Sequence, residues 1–174
     1  MDTNGVSISA DAADRLAAPD SGTDVRTFLI VDVRGYTNFT QTLGDEEAAR
    51  LAASFATLTR KTVTTRGGEV VELRGDEALC VFRSARQAPR AAVELQVRFR
   101  ERIDGEPVFP LGIGIGLDAG EAVPVEAGYR GGALNLAARL CSVAAPGQIL
   151  ASETVASLAR RVEESVSSSA AGLG

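Results

Sequence analysis

Histidine is absent from all 174 residues. Its absence excludes imidazole proton relays, histidine-based triads and the commonest zinc ligand sets. Any chemistry must rest on carboxylates, arginine, amides, hydroxyls and imported metal ions. Cysteine is scarce: Cys80 and Cys141 are the two present, each in an apolar run (Leu79-Cys80-Val81-Phe82 and Leu140-Cys141). Both are expected to be small buried core thiols rather than parts of a disulfide scaffold. Excess positive charge is lacking too. The formal net charge of −5 argues against broad attraction to nucleic acid. No apolar run approaches the ~20 residues that span a bilayer, so no membrane segment is expected. Met1 to Thr23 has neither the basic segment nor the apolar stretch of a signal peptide. A cytoplasmic location is therefore expected, with residues 1–24 a flexible leader, 25–164 one domain and 165–174 a flexible tail.

What is there has a clear order. Val25 to Val33 reads as a buried strand, an apolar run with an acid near its end. Arg34-Gly35-Tyr36-Thr37 reads as a loop, and Asp45 to Arg66 as a helix with Leu51, Phe55, Leu58 and Val63 as its apolar stripe. Glu69 to Leu73 and Ala78 to Phe82 form a hairpin around Arg74-Gly75-Asp76-Glu77. Ser84 to Ile103 is a second helix capped by Ser84. Leu111 to Leu117 and Glu121 to Val125 are strands separated by Asp118-Ala119-Gly120. A helix over Ala133 to Val143, a short strand over Gln148 to Ala151 and a helix over Ser152 to Val162 complete the chain. This order predicts an α+β fold, a ferredoxin-like, antiparallel-rich sheet with helices packed on one face.

Three features carry chemistry. Asp32 follows a run of apolar residues, where a carboxylate is costly to bury without compensation. The amides of the following glycine-containing loop make an anion cradle beside it, the combination a magnesium–triphosphate site needs. Asp76 sits at the hairpin tip, and side-by-side strands would place it near Asp32. Two adjacent carboxylates repel unless cations hold them together, and metals ~3.5–4 Å apart would do so. Asn135 and Arg139 lie four apart on a helix, one amide and one guanidinium on the same face, while Leu134, Ala138 and Cys141 form a separate apolar face. Each feature has a plain structural alternative: a cap, a turn and a solvated helix face.

Taken together, these segments resemble the catalytic domain of class III adenylyl and guanylyl cyclases over roughly residues 25–160. The resemblance runs through Phe28-Leu-Ile-Val-Asp32-Val-Arg-Gly35-Tyr36-Thr37 and Leu73-Arg-Gly75-Asp76. It continues through Gly112-Ile-Gly-Ile, Gly131-Gly-Ala-Leu-Asn135-Leu-Ala-Ala-Arg139-Leu and Pro146-Gly147-Gln148-Ile149-Leu150-Ala-Ser152. It implies conversion of a nucleoside triphosphate to a 3′,5′-cyclic nucleotide with two divalent cations, Mg²⁺ or Mn²⁺. Asp32 and Asp76 would be the metal-binding acids, with the Val33 carbonyl as a further ligand. The amides of Gly35, Tyr36 and Thr37 would hold the triphosphate, Asn135 would orient the ribose, and Arg139 would stabilise the transferring phosphoryl group. It also implies a homodimer with shared active sites, the acids from one copy and the Asn/Arg pair from the other. The hairpin is similar to that of diguanylate cyclases, but that family leaves Asn135 and Arg139 without a role.

The positions that read the base in this family fall on Glu72 and Gly128. Adenylyl cyclases usually carry Lys and Asp or Thr there. An ionised Glu72 accepts but does not donate, which suits the N1–H and N2 amine of guanine, and Gly128 offers no acceptor for the adenine amine. The family as a whole favours ATP and this pair leans toward GTP, so both substrates stay open. The family's closing strand pair, with its basic residue for the terminal phosphates, is not recognisable in residues 165–174, so either another Arg substitutes or the phosphate grip is weak. A cyclase-like nucleotide-binding module without turnover is the alternative.

Overall fold

The computed structural model describes residues 24–104, 111–126 and 128–160. The expected leader, apart from Asp24, and the expected tail lie outside these residues.

The first strand, β1 (Asp24–Val33), is the centre of the sheet. Its apolar run is buried on both faces, which explains why it does not alternate with polar residues. It is flanked by β3 (Glu77–Phe82) and β4 (Ile113–Val125), both antiparallel to it. The hairpin partner β2 (Gly68–Arg74) lies beyond β3, and β5 (Gly128–Arg130) folds back on the far end of β4. A short β6 (Ile149–Ala151) runs parallel to β4. The sheet is thus six-stranded, mostly antiparallel, in the order β2-β3-β1-β4-β5, with β6 joined to β4. The expected α+β class is observed.

Five helices are described: α1 (Tyr36–Leu43), α2 (Asp45–Thr65), α3 (Gln87–Asp104), α4 (Gly132–Val143) and α5 over residues 153–160. Leu29, Val31 and Val33 of β1 enter the larger core with Leu51 and Phe55 of α2 and Leu95 and Phe99 of α3. Phe55 and Phe99 meet edge to face, with centroids 6.4 Å apart. Val155 of α5 belongs to the same layer. Phe28 and Ile30, on the other face of β1, pack with Ala133, Ala137 and Cys141 of α4. The expected one-face stack therefore holds for α2 and α3, and α4 is added on the opposite face.

The structure differs locally from the expectation at four places. The segment read as a loop after Asp32 turns at Gly35 and becomes α1 at Tyr36, because Phe39 is buried. Asp118-Ala119-Gly120 is not a turn but the middle of a continuous β4. The Asp118 carboxylate accepts from the Ala119 amide and the Ser152 hydroxyl, so it is satisfied within the sheet. The strand begins at Ile113 rather than Leu111. On α4 the buried positions are Ala133, Ala137 and Cys141, whereas Ala138, expected on the apolar face, is exposed. The Ser84 cap is present, its hydroxyl accepting from the Gln87 amide at 3.4 Å. Both cysteines are free and buried, as expected. Among the described residues no helix is long and apolar enough to cross a membrane.

Candidate active site

The central strand ends at the site. Asp32 stands opposite Glu77 on β3 and Gly114 on β4. The Val33 amide donates to the Asp76 carbonyl at 2.9 Å, and the Arg34 amide donates to the Gly112 carbonyl at 2.8 Å. These bonds hold the end of β1 between the hairpin tip and the start of β4. Asp32 and Asp76 consequently line one cleft of about 530 Å³.

The chain must then turn sharply. Gly35 has φ +81°, in the left-handed region, and a Cβ there would stand 3.0 Å from Leu111 Cδ2. Glycine meets both demands. The turn starts α1, whose first turn has no side-chain cap. The opening amides of a helix lack intrahelical partners and carry partial positive charge. Gly35, Tyr36 and Thr37 line the cleft at this point. Tyr36 is anchored by its hydroxyl, which donates to the Ala48 carbonyl at 2.9 Å. Burial pushes its phenol up.

Burial pushes the Asp32 carboxyl up to about 6; Asp76 and Glu77 act in the same direction and Arg34 opposes them. Arg34 Nη1 donates to Asp32 Oδ2 at 2.6 Å. The cleft therefore gathers two carboxylates, Asp32 and Asp76, with one guanidinium, that of Arg34, beside them. Among the described residues no group of three His, Cys, Asp or Glu side chains could enclose a metal. Two hard carboxylates beside free amides still fit Mg²⁺ or Mn²⁺, which are commonly held by one or two carboxylates with phosphates and water as remaining ligands.

Three cleft residues were not singled out from the sequence: Arg34, Asn38 and Gln41. The period-two rule puts residues 32 and 34 on the same side of a strand, which was the available signal for Arg34. Asn38 and Gln41 required knowledge that α1 is helical.

Asn135 and Arg139 are not in this cleft. Both are exposed on α4, away from the side formed by Ala133, Ala137 and Cys141. Glu72 is exposed on β2, paired with Arg74. Gly128 lies near it: a Cβ on Gly128 would stand 3.3 Å from Cγ1 of Val71. The two expected base-reading positions thus lie near each other in the fold of one chain, and neither lines the acidic cleft.

No protein-family profile matches the chain. An uncharacterized protein of Mycobacterium tuberculosis is 34% identical over 122 residues, 69% of this chain and 30% of that protein. An adenylate cyclase of Streptomyces coelicolor is 30% identical over 141 residues, 80% of this chain and 35% of the enzyme. The chain thus spans about a third of the length of the curated relatives it matches. Among solved structures, the guanylyl cyclase Cya2 superposes with a TM-score of 0.72 at 28% identity, covering 80% of each chain.

Proposed function

Because this chain belongs to the class III nucleotidyl cyclase family, we propose that it converts a nucleoside triphosphate into the 3′,5′-cyclic nucleotide and pyrophosphate, at a site completed by a second copy of the chain. The observation carrying this reading is the meeting of Asp32, Asp76 and the uncapped start of α1 in one cleft.

In this reading Asp32 and Asp76 hold two divalent cations, Mg²⁺ or Mn²⁺, with the Val33 carbonyl as a further oxygen ligand. Such cations, when bound, acidify the ribose 3′-hydroxyl and neutralise phosphate charge. The amides of Gly35, Tyr36 and Thr37 hold the triphosphate and fix the α-phosphorus in line with the 3′-oxygen. That oxygen bonds to the α-phosphorus, the bond to the bridging oxygen breaks, pyrophosphate leaves, and the hydroxyl proton passes to solvent. Asn135 orients the ribose. Arg139 stabilises charge on the transferring phosphoryl group, a role that can supply ~10³-fold in rate.

The placement of α4 supports a second copy. Asn135 and Arg139 share its exposed side with Leu136 and Val143, which are 40% and 70% exposed. Val123 and Val125 on β4 add further exposed apolar area. A surface that combines apolar side chains with functional polar ones suits burial against a partner.

Glu72 and Gly128 lean the base preference toward GTP, since an ionised carboxylate accepts from guanine and repels adenine N1. The test is mass-resolved product formation from ATP and from GTP with Mg²⁺ or Mn²⁺, beside an Asp32→Ala control. Cyclic product that disappears in the control is the expected result. Nucleotide binding by a folded protein without cyclic product would leave a binding module instead.

A further inference from the structure

Arg34 makes more of its position than an ion pair requires. Nη1 donates to Asp32 Oδ2 at 2.6 Å, while Nη2 donates to the Cys141 carbonyl in the last turn of α4 and lies 3.7 Å from its sulfur. One planar fork thus joins the end of the central strand to the helix bearing Asn135 and Arg139, across 107 positions of sequence. Space for it is provided by Gly114, where a Cβ would stand 2.5 Å from both Nε and Nη2. Both members of the pair are 22% exposed, so the contact is only partly open to water. A guanidinium held at two points in such a place gains orientation as well as charge.

We propose that Arg34 is a positioning residue that serves as the internal counter-ion of Asp32 and is displaced from it when a divalent cation enters, its second anchor passing that event to α4. This rests on the reading of Asp32 as a cation ligand. Arg34 occupies one carboxylate oxygen that a cation would use, and its charge repels an incoming ion. When it lets go of Asp32, it keeps the Cys141 carbonyl as its remaining anchor, so the last turn of α4 experiences the change. The two clefts of a dimer would then be coupled, because α4 of each copy supplies residues to the other's site.

Mn²⁺ binding to the full chain, measured by calorimetry without nucleotide, tests this independently of turnover. Arg34→Gln removes the competing charge, and Mn²⁺ affinity is expected to rise at least about threefold, the scale of one partly exposed ion pair. Arg34→Lys keeps the charge but cannot span both anchors with a fork. Its affinity is expected to stay within about twofold of the parent, while Mn²⁺ no longer alters amide exchange over residues 139–145. A residue with a merely structural role would lower affinity or leave it unchanged in Arg34→Gln, and either result overturns the inference. If Arg34→Gln does not fold, the exchange response of Arg34→Lys decides: a response like the parent's overturns the coupling. Asp32→Asn separates the two levels. Unchanged Mn²⁺ binding there defeats the cation-site reading itself, whereas lost binding there with no gain in Arg34→Gln defeats only the role of Arg34.

Discussion

Glu72 and Gly128 show how much a single position can determine and how much its backbone limits. Glu72 is exposed and paired with Arg74, so its carboxylate is free to be exchanged without opening a core. Glu72→Lys replaces an acceptor by a donor and is expected to shift the ATP-to-GTP rate ratio toward ATP by about tenfold, as exchanging one matched for one mismatched hydrogen bond does. Competition assays with both nucleotides would measure it, and an unchanged ratio would remove Glu72 from base selection. Gly128 is different. At φ +130°, a side chain is strained whatever space it finds. Gly128→Asp should therefore lower stability by about 1–2 kcal/mol, as chemical denaturation would report, before any effect on the base. The thiols make a simpler case: burial pushes Cys80 up to about 12 and Cys141 up to about 11. Neither should react with a maleimide at neutral pH in the native chain, and both should react once it is unfolded. That Asp32 and Asp76 come to one cleft was legible from the sequence, because the strand and the hairpin around them were readable. The two-point contact of Arg34 was not, since its second partner is a backbone carbonyl far along the chain that no local pattern announces.

Elements are fixed by how closely they approach. Gly116 on β4 faces α4 so tightly that a Cβ would stand 2.2 Å from the Ala137 carbonyl oxygen and from the Cys141 amide nitrogen. These are backbone atoms, and a side chain cannot swing away from them. Gly116→Ala must push α4 off the sheet, with an expected cost of about 2–4 kcal/mol in denaturant unfolding. Across the other layer, Glu94 of α3 ties Arg66, at the end of α2, at 2.7 Å and Arg98 at 2.6 Å. Hydrogen bonds from Arg66, together with those from Arg98, hold its carboxyl below the ordinary glutamate range. A lowered folded value means that the stabilisation is present above the unfolded pKa and disappears as pH falls through the folded one. Glu94→Gln should thus cost about 1 kcal/mol near pH 7, with the gap from the parent closing in acid; a gap independent of pH would exclude the ion pairs as its source. The strands and the long helices were readable because their periodic patterns extend over many residues. The short α1 was not. Its sequence holds three threonines, poor helix formers, and its formation depends on the Gly35 turn and the burial of Phe39. The unbroken β4 was hidden for a related reason: Asp118 and Gly120 look like a turn until Ser152 satisfies the acid from another part of the chain.

At the scale of the whole molecule, the geometry separates what the proposed reaction must bring together. One chain gathers Asp32 and Asp76 in a cleft and leaves Asn135 and Arg139 exposed on α4, outside it. A single copy would then hold the cations and triphosphate yet lack the ribose-orienting amide and the transition-state guanidinium. If two copies complete each other, a dimer has two sites, each built from one cleft and the other copy's α4. Asp32→Ala and Arg139→Ala should each abolish turnover as homodimers, because both sites of each contain a defect. In a mixed dimer, however, both defects fall in the same site and the other site is intact. Random exchange makes half the dimers mixed, so an equimolar mixture should recover about a quarter of the parent's specific activity. Dilution below the dimer dissociation range should remove it again, by mass action. An active mixture thus requires residues from both chains in one site. Two variants that remain inactive after demonstrated subunit exchange would mean that Arg139 acts within its own chain, and the shared-site mechanism would have to be abandoned while the fold and the acidic cleft stand.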